Sequence, residues 1–429
     1  MPAGGAGTDR ALAVDLDDDH TLVVGTFEGT ASFGSYELEA PFPGSAACYA
    51  ARVDEDGEYQ WVTLISDFTL TPELGDIKLH PNGDAYAACG RGNAARIVRL
   101  DAESGNIIDI YDKPAEASLG YRVDYRPYRA LAIGPEGEIF AVGDGAIKVL
   151  TGLFQIKTTN YAAIDRYGSD IDLGVMDSTG FGNYQPAANP EHITQINAID
   201  TTSSGSVVIG GEFRGTFEFQ DETFASEYST NAFLMHLDDD LDLILGRNYG
   251  NQDFDDSVVD LEVAEDDSVY VGGNFDGLFT FFGDVWLNGN CTEEVQNNMF
   301  AIHYQDLDLW SDDWSHTFGS CSPSRLAALD YDGAFLHLAG TFAGDLDVLG
   351  QALGSEGAQD MAYVRLAPDV GTLNTAKAGG GPGDDVVYDV GRVIVAGSFE
   401  DDATFPIQGG VQSVQANGSE PDALLWNAY

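Results

Sequence analysis

The sequence predicts an all-β fold, a seven-bladed β-propeller built from four-stranded antiparallel blades. Three observations support this prediction. A glycine-anchored motif recurs seven times, the intervals between its copies are long enough for four strands with loops, and no segment shows a convincing helical period. Stacking the copies around an axis buries both faces of each sheet and leaves only short edges.

The motif is clearest in Val258–Phe282, which reads as a short apolar strand, an acidic turn, a strand ending Gly-Gly-Asn-Phe, and a further strand. Four more copies keep this pattern: Ala11–Phe33, Ile196–Phe219, Leu326–Val348 and Val386–Phe405. Two weaker copies lack the Phe: Ile77–Gly90 and Ala130–Gly143. The anchoring glycines lie 53 to 68 residues apart, at Gly25, Gly90, Gly143, Gly211, Gly273, Gly340 and Gly397. We therefore assign residues 1–429 to a single propeller domain.

Paired apolar side chains recur in the five strong copies. A Phe follows the anchoring glycine by two residues, and another apolar residue follows six later, as in Phe27 and Phe33. The other pairs are Phe213 and Phe219, Phe275 and Phe281, Phe342 and Val348, and Phe399 and Phe405. An even offset along extended chain places both side chains on one face. The pairs therefore indicate packing between neighbouring blades.

The two ends of the chain predict how the ring closes. Ala3–Arg10 resembles Ala378–Asp385, the connection from a fourth strand to the next first strand, so the chain starts at a repeat boundary. The chain ends at Asp422–Tyr429, which reads as a third strand. We therefore expect the last blade to be incomplete, with three strands, or to be completed by something outside this sequence.

The net charge of −52, from 71 acidic and 19 basic residues, limits the classes of partner. Such a field repels nucleic acid and anionic membranes, so we expect neither as a partner. It is typical of a halophilic surface that stays solvated in high salt, or of one that gathers cations. The chain has no apolar run of membrane-spanning length, so we expect no membrane insertion. Its N-terminus does not read as a secretory signal, which leaves three alternatives open: a signal already absent from this chain, a cytosolic protein, or a piece of a longer chain.

The repeat resembles the SBBP-type β-propeller repeats of bacterial and archaeal surface proteins. Three segments carry the resemblance: GTFEGTASFG (Gly25–Gly34), YAARVDEDGEYQW (Tyr49–Trp61) and GNFDGLFTFFG (Gly273–Gly283). It covers nearly the whole chain, although the second and third copies depart from it. The resemblance implies a seven-bladed propeller in an extracellular or cell-surface setting. It brings no shared catalytic residues.

The four cysteines form no C-x-x-C pair, which makes zinc and thioredoxin-like sites weak interpretations. Cys291 and Cys321 lie in loops that flank the same copy, so we predict a disulfide between them in an oxidising compartment. We expect Cys48 and Cys89 not to be paired with each other.

Repeated polar residues offer few candidates for chemistry. A basic residue recurs in the third strand, at Arg52, Arg99, His236, His303 and Arg365. A ring spreads such residues apart, so we interpret them as charge partners of acids on adjacent strands. The acidic runs Asp15–His20, Asp238–Asp242 and Asp253–Asp256 could ligate Ca²⁺, but none follows the twelve-residue calcium loop. We therefore predict no cofactor, no metal and no catalytic residue, with Ca²⁺ as an open alternative.

The segment 152–195, which departs most from the repeat, is where we expect recognition. It contains the third and fourth strands of its copy plus an insertion, and its candidate contact residues are Tyr161, Tyr167, Asn183, Tyr184, Gln185 and Asn189. The leading hypothesis is a non-enzymatic scaffold or binding module at the cell surface, with a protein or glycan partner. The alternatives are a lyase or glycan hydrolase that uses the central pocket, and a cation-dependent adhesin. The enzyme is disfavoured because the first strands read as mostly apolar or small.

Overall fold

The computed structural model describes residues 2–17, 20–42, 44–67, 75–89, 95–113, 116–118, 121–150, 156–168, 175–182, 193–250, 254–281, 284–287, 297–307, 312–408, 410–417 and 420–428. Its strands are β1 (Pro2–Gly5), β2 (Arg10–Leu16), β3 (His20–Glu28), β4 (Thr30–Phe33), β5 (Tyr36–Glu39), β6 (Ala46–Asp54), β7 (Tyr59–Asp67), β8 (Gly75–Leu79), β9 (Asp84–Cys89), β10 (Ala95–Asp101), β11 (Ile107–Lys113), β12 (Glu116–Ser118), β13 (Tyr121–Ile133), β14 (Ile139–Leu150), β15 (Ile156–Tyr167), β16 (Val175–Gly182), β17 (Ile193–Thr201), β18 (Val207–Phe219), β19 (Glu222–Leu237), β20 (Leu243–Tyr249), β21 (Asp256–Val263), β22 (Val269–Asp276), β23 (Leu278–Phe281), β24 (Asp284–Leu287), β25 (Asn297–Tyr304), β26 (Asp312–Phe318), β27 (Ser324–Tyr331), β28 (Leu336–Phe342), β29 (Asp345–Val348), β30 (Gln351–Gly354), β31 (Asp360–Leu366), β32 (Leu373–Gly379), β33 (Val386–Gly391), β34 (Ile394–Phe399), β35 (Ala403–Ile407), β36 (Gly410–Val414) and β37 (Asp422–Asn427).

Seven antiparallel four-stranded blades form a ring, which confirms the predicted all-β propeller. From the axis outward the blades are β2-β3-β6-β7 (I), β8-β9-β10-β11 (II), β13-β14-β15-β16 (III), β17-β18-β19-β20 (IV), β21-β22-β25-β26 (V), β27-β28-β31-β32 (VI) and β33-β34-β37-β1 (VII). Each first strand packs beside the first strand of the next blade, and β33 packs beside β2. The described residues contain no helix, and therefore none long and apolar enough to cross a membrane.

The seventh blade is complete, which corrects the expectation of an incomplete last blade. Strand β1 at the start of the chain pairs with β37, with Ala3 opposite Ala423 and Pro2 opposite Leu424. In blade VI the fourth strand pairs in the same way, with Ala378 opposite Ala362. Ala3–Arg10 and Ala378–Asp385 therefore each include the last residues of a fourth strand as well as the connection that follows it. The first and last segments of the chain close the ring by sharing a blade.

The repeated aromatic residues pack as the sequence predicts. Every member of the Phe pairs whose side chain is described is buried: Phe27, Phe33, Phe213, Phe219, Phe275, Phe342, Val348, Phe399 and Phe405. The second member of each pair lies on an outer hairpin between the second and third strands, such as β4-β5 or β29-β30, except in blade IV, where β18 and β19 simply run on. Phe27 and Phe33 meet edge to face at 6.2 Å between ring centroids. Full burial of such a side chain contributes about 1.5–3 kcal/mol.

The cysteine prediction is wrong for one pair. Cys48 on β6 and Cys89 at the end of β9 form a disulfide between blades I and II, with a Cα–Cα distance of 6.6 Å. Both side chains are buried in the same apolar cluster. Sequence reasoning assigned each cysteine to its own blade, whereas blade stacking brings the two faces together. Cys291 lies outside the described residues, so its pairing with Cys321 stays a prediction.

Candidate functional site

A central channel of about 520 Å³ runs along the propeller axis and is lined mainly by the seven first strands. Six of these strands carry a β-bulge at the same place, as between Ala11 and Ala13 in β2 and between Val258 and Asp260 in β21. A bulge turns the extra residue towards a new direction. Here the extra residues all line the channel: Leu12, Arg129, Asn197, Val259, Ala327 and Tyr388.

Six aspartates, one from every blade except III, also line this channel. They are Asp15, Asp76, Asp200, Asp260, Asp330 and Asp389. Each of these aspartates is adjacent in sequence to a buried apolar residue. In blades II, V and VII the aspartate comes immediately before that residue, as Asp260 comes before Leu261. In blades I, IV and VI it comes immediately after, as Asp200 comes after Ile199. This finding corrects the interpretation of the first strands as mostly apolar or small.

Each channel aspartate binds the backbone of the next blade. Asp260 Oδ2 accepts a hydrogen bond of 2.9 Å from the Leu329 N–H, and Asp200 Oδ2 accepts one of 2.7 Å from the Val263 N–H. The same bond joins four more junctions at 2.5–2.8 Å: Asp15 to Leu79, Asp76 to Leu131, Asp330 to Arg392 and Asp389 to Val14. Five of these carboxylates also accept the N–H of the following residue through Oδ1.

The junction between blades III and IV uses a different contact, because blade III has Ala130 and Ala132 where other blades place the aspartate. There the Thr201 hydroxyl donates a 2.8 Å hydrogen bond to the Ile133 carbonyl. The carboxylates thus fasten six of the seven junctions, and a hydroxyl bridges the seventh. A charge-assisted hydrogen bond of this kind contributes about 1.5–3 kcal/mol.

Burial shifts the titration of this ring. It raises the pKa of Asp260 to about 7 and that of Asp330 to about 6, against the opposing effect of their backbone N–H donors. Burial also raises the pKa of Asp76, Asp200 and Asp389. The ring therefore carries fewer charges at neutral pH than its composition suggests.

Two charged side chains in the channel stand apart from this pattern. Lys78 and Glu262 occupy, in blades II and V, the position that holds Asp15 in blade I. Neither forms a hydrogen bond or an ion pair within 4.0 Å to any residue that the structure describes. Burial raises the pKa of Glu262, and the neighbouring acids raise it further. Burial alone would lower the pKa of Lys78, but the surrounding carboxylates have the larger effect and raise it. Lys78 is thus a fixed cation inside an acidic wall.

The channel opens differently at its two ends. Where the first strands end, a further cavity of about 330 Å³ is lined by acids and by Tyr331 and Arg392; the acids are Asp15, Glu262, Glu265, Asp330 and Asp332. Where the first strands begin, an amide network crosses blades III to V. Arg129 donates to Gln195 at 2.9 Å, Gln195 donates to Asn197 at 2.6 Å, and Asn197 donates to the Val258 carbonyl at 2.8 Å. One mouth is strongly acidic, and the other combines amides with Arg129, Arg325 and Glu212.

The structure divides the predicted contact residues of segment 152–195. Its strands β15 and β16 are the predicted third and fourth strands of blade III. Tyr167 is fully buried, and its hydroxyl lies 2.6 Å from that of Tyr128, which corrects its assignment as a contact residue. Tyr161 lies on β15 with its side chain outside the described residues. Asn183, Tyr184, Gln185 and Asn189 fall outside the described part of the chain and stay predictions.

The repeated basic position behaves in part as a charge partner. Arg52 pairs with Asp17 at 3.2 Å, and Arg99 pairs with Asp84 at 2.7 Å. The other three members differ. His303 lies 3.6 Å from Asp313, but burial lowers its pKa and so favours the neutral ring. His236 contacts the Ser206 hydroxyl at 2.9 Å, and Arg365 donates to Asn374 at 2.9 Å. Blade III continues the series with Arg166, which pairs with Glu138 at 3.1 Å and which the inserted segment had obscured.

The acidic runs serve different structural roles where they are described. Asp15 belongs to the ring of channel aspartates, and Asp256 lies buried at the junction of blades IV and V. Asp238 Oδ1 accepts the N–H groups of Asp240 and Asp242, which leaves this run as an ordinary turn. Asp18, Asp19 and Asp253 lie outside the described residues. Within the described ranges, no group of three or more His, Cys, Asp or Glu side chains is arranged to hold a metal ion.

No family model matches the chain, and no curated protein matches its sequence. Among solved structures, it is similar to the Dos1 propeller at 8% identity and a TM-score of 0.41, over 98% of this chain and 93% of that one. It is also similar to the WD40 domain of Toxoplasma gondii coronin (10% identity, TM-score 0.41, 99% of this chain and 86% of that one). A luciferin-regenerating enzyme is similar at 9% identity and a TM-score of 0.36, over 78% of this chain and 84% of that one. Structural similarity at these identities and TM-scores does not support an argument about function. The resemblance to SBBP-type repeats rests on the sequence motifs alone.

Proposed function

We propose that this protein is a non-enzymatic binding module that works at the cell surface or outside the cell. One observation carries the proposal: the channel aspartates bind the backbone across blade junctions. A carboxylate that acts on a substrate must direct an oxygen at the reacting bond, commonly as one of a facing pair. Here the oxygens are engaged by N–H groups, as in Asp260, which accepts from Leu261 and Leu329. The aspartates make the ring a rigid scaffold.

The extracellular setting is supported by the disulfide between Cys48 and Cys89. Disulfides persist mainly in oxidising compartments and are rare in the cytosol of mesophiles. The SBBP resemblance points to the same setting. A halophilic surface is consistent with the net charge of −52.

The charge of the acidic mouth determines which chemical groups a partner can place there. Carboxylates such as Glu262, Glu265 and Asp332 surround this opening, with Arg392 as a basic member. Their field attracts basic groups and repels acidic ones. A protein partner with an exposed Lys or Arg, or a neutral glycan, therefore fits better than an acidic glycan.

A second candidate function is an enzyme that uses the channel, and one observation favours it. Glu262 has a raised pKa, no described partner and a position facing the cavity, which are features of a general acid. Lys78 is a cation that could hold a negative group nearby. In this alternative Glu262 supplies a proton to a leaving group, as in glycan cleavage.

One screen separates the candidates. The protein is incubated with protein and glycan arrays, with and without Ca²⁺, and the glycans are then analysed for cleavage products. We expect binding without products, and we expect Glu262→Gln to change affinity only. The exposed Glu222 on β19 provides the matched control variant Glu222→Gln. Products that wild type forms and Glu262→Gln does not would establish the enzyme, and binding only with Ca²⁺ would establish the adhesin.

A further inference from the structure

Two blade junctions enclose a pair of buried aspartates outside the channel. Asp422 at the start of β37 faces Asp9 just before β2, at the junction of blades VII and I. Asp360 at the start of β31 faces Asp385 just before β33, at the junction of blades VI and VII. The exposed fractions are 0% and 1% in the first pair and 2% and 0% in the second. Neither pair belongs to the ring of channel aspartates.

A glycine forms the floor of each site. Asp360 Oδ1 and Asp385 Oδ2 both lie within 2.7 Å of the point that a Cβ on Gly380 would occupy. Asp422 Oδ1 and Asp9 Oδ2 both lie within 2.8 Å of the same point on Gly4. Each glycine thus leaves a cradle into which two carboxylates direct an oxygen, and any side chain there would fill it.

Backbone N–H groups bind all four carboxylates through Oδ2. In Asp9 and Asp385 this is the same oxygen that faces the glycine. Asp422 and Asp360 face the glycine with Oδ1 instead. Asp9 accepts from Gly5 at 2.6 Å, Asp422 from Asn417 at 2.6 Å, Asp360 from Glu356 at 2.6 Å, and Asp385 from Gly381 at 2.7 Å. The Oδ1 atoms of Asp360, Asp385 and Asp422 are buried and have no hydrogen-bond partner in the described part of the chain. Within the same residues, no Lys, Arg or His lies within 4.0 Å of any of the four carboxylates.

Blades IV and V carry an asparagine at the position that Asp422 and Asp360 occupy in blades VII and VI. Asp422 and Asp360 each stand opposite the repeated Phe of the second strand, and Asn298 and Asn231 stand at that position in blades V and IV. At the junction of blades IV and V, Gly250 contacts Asp256 and Asn231, a carboxylate and a neutral amide. An amide therefore satisfies the fold at this position. Two like charges in contact must be neutralised by a bound cation or by a shared proton, because an uncompensated buried charge costs several kcal/mol.

We propose that each of the two aspartate pairs binds one divalent cation of the Ca²⁺ type at its glycine cradle. Ca²⁺ takes six to eight oxygen ligands from carboxylates, backbone carbonyls and water, so two carboxylates provide the charge and leave other positions for neutral oxygens. The ion would fasten blade VI to VII and blade VII to I, the two junctions nearest to the ring closure. This proposal is independent of the proposed function and uses none of the acidic turns.

The competing occupant is a proton shared by the two carboxylates. Burial, and to a smaller degree the partner carboxylate, raise the pKa of Asp9 and of Asp385 to about 7. Glu28 acts in the same direction on Asp9, and Glu400 on Asp385; Glu356 adds its charge beside Asp360. A metal ion displaces such a proton, so Ca²⁺ binding should be tighter at about pH 8 than at about pH 5.5.

The test is equilibrium dialysis against Ca²⁺ with elemental analysis, at about pH 8. About 1 M NaCl reduces the screening length to roughly 3 Å and suppresses loose binding to the acidic surface. We expect two Ca²⁺ per wild-type chain and a melting temperature that rises saturably with Ca²⁺ at constant ionic strength. Asp422→Asn and Asp360→Asn should each retain one ion, and the double variant none. Both changes copy Asn298 and Asn231, so the fold should tolerate them, as circular dichroism will show.

Asp256→Asn is the matched control. Asp256 lies at the equivalent place in the junction of blades IV and V, where the residue opposite it is Asn231 rather than a second aspartate. This variant should retain two ions. Wild type without stoichiometric Ca²⁺ would overturn the proposal. Stability that falls between about pH 5.5 and pH 8 more steeply in the wild type than in variants that lack one aspartate of a pair would assign a shared proton instead. Two ions that survive the double variant would place the sites elsewhere and would equally overturn it.

Discussion

Replacing Asp260 with alanine tests whether the channel carboxylates hold the blades together. Asp260 accepts two backbone hydrogen bonds of 2.9 Å, from Leu261 in its own blade and from Leu329 in the next. Alanine leaves both N–H groups at the channel wall without a protein acceptor, and an unsatisfied buried group costs about 1–3 kcal/mol. Because the channel admits some water, we expect the free energy of unfolding to fall by about 2–4 kcal/mol.

Thermal unfolding followed by circular dichroism measures this loss. At about 2.1 cal/mol/K per residue, the 429-residue chain has an unfolding entropy of about 0.9 kcal/mol/K, so the melting temperature should fall by about 2–4 °C. Asp238→Ala is the matched control. Asp238 also accepts two backbone N–H groups, from Asp240 and Asp242, but in an exposed turn where water replaces it. We expect a change below about 1 °C for this variant.

The pH dependence of the same variant adds a second check. Burial raises the pKa of Asp260 to about 7 in the folded protein, above the value of 3.8 for an exposed aspartate. Its contribution to stability is therefore complete below about pH 4 and declines as the pH rises through about 7. Asp260→Ala should thus cost more at about pH 6 than at about pH 8. Equal losses for Asp260→Ala and Asp238→Ala, or a larger loss at pH 8, would refute the reasoning.

Three further predictions concern the whole protein. The raised pKa values of Asp260, about 7, and Asp330, about 6, predict that the wild-type melting temperature falls between about pH 5 and pH 8, as a buffer series would show; a rise would contradict the sign. The charge of −52 predicts a melting temperature that rises towards about 1 M NaCl, and a flat profile would contradict self-repulsion. Cys48 and Cys89 are 41 residues apart, so their disulfide restricts the unfolded chain, and Cys48→Ser should lower the free energy of unfolding by roughly 4 kcal/mol. Ready thiol labelling of either cysteine in the native protein would contradict the disulfide.

The fold was predictable because one physical pattern is repeated throughout the chain. A glycine followed at a fixed offset by a Phe, such as Phe27, Phe213 or Phe399, marks the same packed position in five of the seven blades, and period-two alternation reveals the strands around it. The closure of the ring was harder to predict. The likeness between the two glycine-rich connections was visible, but Pro2–Gly5 is too short to show a strand period of its own, and its partner β37 lies at the other end of the chain.

The channel site was missed because its signal is positional rather than compositional. Asp15, Asp200 and Asp330 each lie one residue after a buried apolar residue, whereas Asp76, Asp260 and Asp389 precede one. The aspartates therefore occupy two positions. Asp260 and Asp389 lie one residue after the bulge, whereas Asp15, Asp200 and Asp330 lie three residues after it, so no single column of the aligned copies holds them all. Contacts between different blades, such as that of Cys48 with Cys89, depend on how the blades stack, which a single copy does not reveal. Aligning the first strands of all seven copies would have shown an aspartate at one of these two positions in every copy except the third.

Hydrogen exchange at the first-strand amides tests most directly whether the channel carboxylates act as structural links. The amides of Leu131, Val263 and Leu329 donate to an aspartate of the neighbouring blade. We predict that they exchange as slowly as the core amides of the second strands, and that Asp260→Ala accelerates Leu329 while Leu131 stays protected. Rapid exchange at these amides in the wild-type protein would show that the carboxylates are free to engage a ligand, and would contradict the rigid scaffold.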